Sequence, residues 1–413
     1  MLVEFRAENH RSLREEQVLS LIASGRIEPD DSRLRFVAGL DDKLLPAIVI
    51  YGGNASGKSN VLSALSFMRE AVILSHRAWE PESGVPRDPF AWGGVNSEPS
   101  LFEVTCVIAG VKYEYGFVAS DVAIEEEWVN AWPSGRKQEW LVREKDKFRF
   151  GGGLLEQTSA IQLATRPNSL FLSTSAQFGN DALKPLYRFF SRMLATSRTG
   201  YSSPPMNRSP FLFAPMQPAF DFEEDVAERI RNLLVAADVG VVGVKREEYE
   251  WKMANHTIKS YRILLQHQAN DEKSWLELAQ ESEGTQTLFR LAPMLLRALE
   301  TGGVLIVDEL EASLHPLLGL KILQLFNCPK TNANNSQLIF TTHDTNLLGT
   351  TLGAPALRRD QIWFTEKDTT GCTRLYPLTD FKPRNVENLE RGYLQGRFGA
   401  IPFIGALTMV EED

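Results

Sequence analysis

Three short apolar runs punctuate the chain, and each stops at residues able to handle phosphate or protons. Residues 45–51 (LPAIVIY) are apolar and end at a glycine pair, and Gly303–Asp308 (GVLIVD) and Gln337–Thr342 (QLIFTT) repeat the design. Runs this short without alternation read as strands buried on both faces, the habit of parallel sheets. After the first run, Asn60–Ala71 places Leu62, Leu65 and Met68 on one side at helical spacing. Helical patterns also cover 181–197, 221–236, 285–299 and 316–326. Buried strands alternating with helices predict an α/β fold around a mostly parallel core sheet.

The period drops to two between 101 and 150. Phe102–Ile108 and Val111–Phe117 flank Ala109-Gly110, the pattern of an antiparallel hairpin on a tight glycine turn. Residues 2–5 alternate in the same way, further strand material follows at Glu126–Trp132 and Glu139–Arg143, and a strand pair is expected near 241–265. Ser202-Ser203-Pro204-Pro205 must be loop. The expected organisation is a single head. Its core is 1–75 with 276–380, its antiparallel β-subdomain 100–165, its helical or lid insertion 166–275 and its C-terminal tail 381–413.

Apolar residues at 43% and charged residues at 23% of 413 fit a packed globular core. A net charge of −9 excludes a uniformly basic nucleic-acid coat and leaves room for a local basic groove. Cys106, Cys328 and Cys372 are far apart, with no C-x-x-C pair, so neither a disulfide framework nor a zinc signature is present; a reducing cytoplasm is the natural setting. The opening residues turn polar too soon for a signal peptide, and no apolar run reaches the roughly 18 residues of a membrane helix.

Gly52-Gly53-Asn54-Ala55-Ser56-Gly57-Lys58-Ser59 fits G-x-x-x-x-G-K-[ST]. In that pattern glycines let backbone N–H groups from Gly52 to Asn60 converge on phosphate oxygens at the positive end of a helix. Lys58 reaches the β- and γ-phosphates, and the Ser59 hydroxyl ligates Mg²⁺. A plain glycine turn before a helix is the bland alternative, disfavoured by the full pattern between a buried strand and a helix. Val304-Leu305-Ile306-Val307 leads into Asp308 and Glu309. A carboxylate at a buried strand's tip can hold Mg²⁺, here Asp308, and its neighbour Glu309 can polarise the attacking water. His343 closes the third run, where a histidine can report the γ-phosphate. Ser282-Glu283-Gly284-Thr285-Gln286 precedes a helix; it reads as an anion site or as an ordinary N-cap.

These pieces, in this order, resemble the ABC-type ATPase heads, the superfamily of SMC and DNA-repair ATPases and the OLD nucleases. The resemblance makes Ser282, Gly284 and Gln286 part of a signature motif, Ala312-Ser313-Leu314-His315 a D-loop and His343 a switch histidine. It implies ATP and Mg²⁺ as cofactors, and a homodimer or higher homo-oligomer in which the signature of one copy caps the γ-phosphate held by the other. Asn9-His10-Arg11-Ser12 resembles the opening Asn-Phe-Arg-Ser segment, which would bring Arg11 to the nucleotide; His10 departs from the aromatic. No clear Q-loop is present, Gln177 being the nearest candidate. Asp308–Pro316, the Tyr113–Phe117 hairpin and the tail Gly392–Pro402 are similar to the RloA- and AbiLi-type ATPases of phage-defence operons, with the PARIS ATPase as a relative. That resemblance implies a separate effector, often Toprim-nuclease-like. The tail reads either as a C-terminal turn packing Phe398 and Ile401 or as a segment that docks a partner or completes the nucleotide edge.

Other classes fit less well. The stretch from Ser59 to Ser282 holds no sustained heptads, which excludes a long-armed repair ATPase and keeps open a short DNA clamp. The segment after His343 is too short for a Toprim domain, so no nuclease activity is expected in the chain. The Ser282 motif departs from the Leu-Ser-Gly-Gly-Gln of transporter subunits. Arg136, Lys137, Arg143, Lys145, Lys147 and Arg149 with Trp140 and Phe148 are compatible with tracking a DNA backbone. Glu139, Glu144 and Asp146 dilute them, which favours a solvated hairpin face. No motif distinguishes ATP from GTP.

Overall fold

The computed structural model describes residues 1–25, 27, 30–154, 158–196, 224–237, 240–253, 256–268, 274–351, 353–382 and 388–402. Strands β1 (Leu2–Glu8) and β2 (Gln17–Ser20) open the chain, followed by the fully buried β3 (Ala47–Gly52) and helix α1 (Lys58–Leu74). Five strands come next: β4 (Ser100–Ile108), β5 (Val111–Ala119), β6 (Ile124–Trp132), β7 (Gln138–Glu144) and β8 (Lys147–Phe150). Helices α2 (Thr158–Ala164), α3 (Phe171–Gln177) and α4 (Lys184–Ser191) precede the two-residue strand β9 (Leu194–Ala195). Then follow α5 (Glu224–Ala236), the hairpin β10 (Val241–Met253) and β11 (His256–His267), and β12 (Trp275–Glu277). Helix α6 (Glu283–Thr301), β13 (Val304–Val307), α7 (Pro316–Asn327) and β14 (Gln337–Thr341) come next. The last described elements are β15 (Ile362–Lys367), β16 (Thr373–Pro377) and α8 (Leu389–Leu394).

The chain divides into two compact units. The first comprises Met1–Ser202, Ala298–Glu309 and Ile322–Asp413; the second comprises Ser203–Arg297 and Leu310–Lys321. The first unit carries two sheets. Its core sheet has the order β16-β15-β3-β14-β13-β9, with every pairing parallel except that of the edge strand β16. This is the mostly parallel α/β sheet expected from the apolar runs. The other sheet is antiparallel, order β2-β1-β4-β5-β6-β7-β8. Its β4–β5 turn places Ala109 at φ 49° and Gly110 at φ 81°, the left-handed pair a tight hairpin requires. Between the sheets α1 buries Val61, Leu62, Leu65, Phe67 and Met68 in one cluster with Phe102, Phe117 and Phe190.

One expectation is corrected by the structure, and a strand pair is added to those expected. The 181–197 pattern is helical only over Lys184–Ser191; Leu194 and Ala195 pair in parallel with Leu305 and Ile306 and extend the core sheet. The segment after His343 also supplies β15, parallel to β3, with β16 folded back on it. Its apolar run is broken by Thr365, which hid the strand. The 202–205 loop lies outside the described residues.

The second unit, by itself, is a sheet in the order β10-β11-β12 with α5 and the first part of α6. Ile230 and Leu234 of α5 are buried, as are Val241, Leu264 and Leu265. Among the described residues no helix is long and apolar enough to cross a membrane.

Candidate nucleotide site

Parallel pairing decides where the chemistry collects. Ile50 of β3 stands opposite Thr341 of β14, and Phe340 opposite Val307 of β13. The three strands therefore finish at one edge of the core sheet. Gly52–Ser59, Asp308-Glu309 and His343 follow these ends, at the carboxyl edge where α/β sheets bind ligands.

The loop from Gly52 to Ser59 turns through Ala55 at φ 60° and Gly57 at φ 106°. Gly57 caps α1. A Cβ there would strike the Thr373 side chain, so glycine is required by both conformation and space. Lys58 is buried and its Nζ donates to Gly52 O (2.8 Å) and Gly53 O (3.1 Å). Ser59 is half-buried, and Asn54 and Ala55 are exposed. Asn60 gives its backbone N–H to Gly57 O and its side-chain amide to Ser12 Oγ at 2.6 Å.

Buried hydroxyls brace this loop from the neighbouring strands. Ser56 Oγ bonds Thr365 Oγ1 at 2.7 Å, and Thr373 Oγ1 donates to Ser56 O at 2.9 Å. Ser12 Oγ meets Thr373 Oγ1 at 2.7 Å. A buried hydroxyl with a partner contributes about 1 kcal/mol, and more is lost when one side is left unpaired.

The Asn9–Ser12 segment is tied into the same region. Asn9 and Arg11 both take positive φ, 52° and 51°. The Asn9 side chain donates to Val95 O and Glu98 O and accepts from Phe90 N. Arg11 pairs with Asp88 through Nε at 3.2 Å. His10 is wholly buried, its ring 5.9 Å from that of Phe67 and 5.6 Å from that of Phe102, with Nε2 3.1 Å from Ser63 Oγ. It occupies an aromatic's place, and burial together with the Arg11 charge pushes its pKa down to about 3.

At the acidic strand, Thr341 Oγ1 donates to Asp308 Oδ1 at 2.6 Å and accepts from Glu309 N at 2.7 Å. One hydroxyl thus holds both acidic residues. Glu309 sits at φ 52°, a conformation costing a non-glycine residue on the order of 1–3 kcal/mol and typical of functional sites. His343 is exposed just beyond β14. Tyr51 Oη donates to the backbone oxygen of the next residue, Asp344, at 3.0 Å.

The signature residues belong to the second unit. Ser282 Oγ accepts from Thr285 N at 3.1 Å and bonds Thr285 Oγ1 at 2.8 Å. Gln286 Nε2 donates to Glu281 O at 2.8 Å. Ser282 therefore caps α6 within the chain. A Cβ on Gly284 would lie 2.6 Å from Ser313 O, and Ser313 Oγ donates to Glu283 at 3.2 Å. The signature and D-loop segments are packed on each other.

The tail does two things at once. Phe398 is buried against Phe364, and Tyr376 and Tyr393 donate to Phe398 O and Ala400 O. Beyond this turn, Pro402 N lies 3.2 Å from the point a Gly53 Cβ would occupy. Residues 403–413 lie outside the described part. Gln177 ends α3 and is exposed.

The basic cluster is not one surface. Arg143 is buried, paired with Glu127 at 3.5 Å and bonded to the carbonyls of Ser169, Arg166 and Pro167. Glu127 in turn accepts from Phe171 N, Leu172 N and Tyr115 Oη. Trp140 is buried too. Arg136, Lys137, Lys145, Lys147 and Arg149 are exposed, but Arg136 and Lys137 precede β7 while Lys145 and Lys147 follow it, so they sit at opposite ends of that strand.

Among the described residues no three His, Cys, Asp or Glu side chains group as metal ligands. Ser59 and Asp308 offer one hydroxyl and one carboxylate, a donor set that suits Mg²⁺ when nucleotide oxygens complete its shell. Sequence reasoning missed Thr341, Thr365, Thr373 and Tyr51. Their only signal is a polar group inside or at the end of an apolar strand.

A phosphate loop, an acidic strand tip and a histidine at one edge of a parallel sheet define a P-loop ATPase domain. Residues 47–349 match the family described as "AAA domain, putative AbiEii toxin, Type IV TA system", and the chain belongs to that family. Among solved structures it is similar to the SMC head domain from Thermotoga maritima, at 12% identity, TM-score 0.38, covering 91% of this chain and 98% of that one. It is also similar to an SMC head bound to the C-terminal winged-helix domain of ScpA, at 11% identity, TM-score 0.42, covering 91% and 96%. No curated protein matches the chain.

Proposed function

We propose that the protein is an ATP-hydrolysing switch in which two copies close on Mg-ATP and thereby control a separate effector in bacterial anti-phage defence. The arrangement of Thr341, Asp308 and Glu309 at the sheet edge that also carries Lys58 is the observation that carries this reading. Lys58 engages the β- and γ-phosphates, and backbone amides of Gly52–Asn60 cradle them. Ser59 and Asp308 hold Mg²⁺, which when bound offsets the charge gathering on the phosphate oxygens. Glu309 orients and deprotonates the attacking water, and His343 senses the γ-phosphate. Ser282, Gly284 and Gln286 of the second copy complete the closed state, and Arg11 approaches the nucleotide from the Asp88 side. Loss of the γ-phosphate reopens the pair.

A type IV toxin–antitoxin system in the family's description supports the defence setting. It also supports a toxin and its antitoxin as an alternative to a Toprim-nuclease-like effector. The reading as a short DNA clamp is weaker, because Arg143 and Trp140 are spent in the core. Glu309→Gln tests the central claim. The variant should bind ATP, turn it over at least a hundredfold more slowly and persist as a closed dimer by light scattering. Wild-type turnover in that variant removes Glu309 as the base. A variant that stays monomeric with ATP bound removes the clamp.

A further inference from the structure

The residues assigned above handle phosphate and Mg²⁺, and none of them is assigned to the base of the nucleotide, while the rim beside Asn60 carries an exposed aromatic. Asn60 bonds Ser12, and Ser12 O accepts from Thr373 N at 2.7 Å. Two residues before Thr373, the turn between β15 and β16 passes Gly371. A Cβ on Gly371 would lie 2.5 Å from the six-membered ring of Trp92, so the indole rests directly on that backbone. The ring is braced by Phe90, centroids 5.4 Å apart and edge-on, and Phe90 is itself buried. Trp92 nevertheless stays 58% exposed, unusual for the largest apolar side chain when it is held on two sides.

The loop that presents Trp92 is anchored by the very segment that borders the phosphate loop. Phe90 N donates to Asn9 Oδ1, and Arg11 N donates to Asp88 O at 2.7 Å. Trp92, Gly371, Ser12 and Asn60 thus lie along one continuous rim. This is the side of the phosphate loop on which α1 begins. We propose that Trp92 is the stacking platform for the purine base of the nucleoside triphosphate held by the phosphate loop. The proposal rests on the ATP-site reading above and adds a base subsite to it. A π-face accepts any base, so the platform supplies affinity without choosing adenine over guanine.

The test is calorimetric titration of the full chain with Mg²⁺ and ATP, GTP or inorganic tripolyphosphate, comparing wild type, Trp92→Ala and Trp92→Phe. Loss of one stacked base weakens binding about tenfold. Trp92→Ala should therefore lose that factor for ATP and GTP alike, keep tripolyphosphate within about twofold, and melt at the wild-type temperature, while Trp92→Phe stays near wild type. Unchanged ATP affinity in Trp92→Ala overturns the platform. An equal loss for tripolyphosphate overturns it too, since Trp92 would then act on the phosphate loop. Wild-type protein that holds tripolyphosphate as tightly as ATP removes the base subsite and leaves the phosphate site standing. Protein that binds none of the three removes both.

Discussion

His10 allows the packing around the phosphate loop to be tested by acid alone. Its ring is enclosed by Phe67 and Phe102, with Nε2 bonded to Ser63 and Nδ1 without a partner. Burial and the Arg11 charge hold its pKa at about 3, against 6.5 for an ordinary histidine. Between those two values the unfolded chain binds a proton that the folded chain refuses. Stability therefore falls as pH falls through that window and is complete above it. From about pH 7.5 to about pH 5 the single group costs about 2 kcal/mol. For a unit of this size that is a drop in melting temperature on the order of 5 °C. His10→Phe restores the aromatic and abolishes the titration. At neutral pH it forfeits one hydrogen bond and relieves one unpaired nitrogen, a change of about 1 kcal/mol or less. Thermal melts of both proteins at the two pH values give the answer as a difference of differences, which cancels every other titrating group. The wild type should lose about 2 kcal/mol more than His10→Phe on acidification. Parallel losses would mean that His10 takes up its proton in the folded state, and the enclosed aromatic slot would be wrong.

Two further outcomes follow from the hydroxyl and carboxylate networks. Thr341→Val removes the group shared by Asp308 Oδ1 and Glu309 N; ATP turnover should fall roughly 5- to 150-fold, with ATP affinity nearly unchanged and rescue by Thr341→Ser. Steady-state kinetics with a parallel binding titration separates the two effects. Glu127→Ala leaves Arg143 buried without its carboxylate and strips the first turn of α3 of its acceptor. A loss of about 3–5 kcal/mol in denaturant melts is expected, and a loss below about 1 kcal/mol would show the pair to be dispensable.

The parts of the fold that were legible in the sequence are those where local chemistry and burial agree. Ala47–Gly52, Val304–Val307 and Gln337–Thr341 are apolar because both faces are covered, and Ala109-Gly110 announces its own turn. What escaped are places where tertiary contacts override the local signal. Ile362–Lys367 contains Thr365, which reads as a break until its hydroxyl is seen bonded to Ser56. Leu194–Ala195 is too short to show a period, and only pairing with β13 makes it a strand. Arg143 reads as surface charge in a row of basic residues, because nothing nearby in sequence names Glu127 as its partner.

The same distinction explains how the candidate site is built. Lys58, Asp308 and Glu309, to which we assign the chemistry, stand in recognisable motifs, but their placement depends on threonines that no motif contains. Thr365 and Thr373 reach the phosphate loop from β15 and β16, and Thr341 reaches the acidic pair from β14. Each is fully buried, and each is β-branched, so it suits a strand while offering one hydroxyl in a known direction. A serine could make the same bonds but would leave its rotamer free; a valine would keep the rotamer and orphan the partner. Threonine near the sheet edge where β14 and β15 finish and the antiparallel β16 begins therefore lets this sheet hold a left-handed Glu309 and a tight glycine loop in register, and the strain at Glu309 is offset by strands whose own apolar burial is complete.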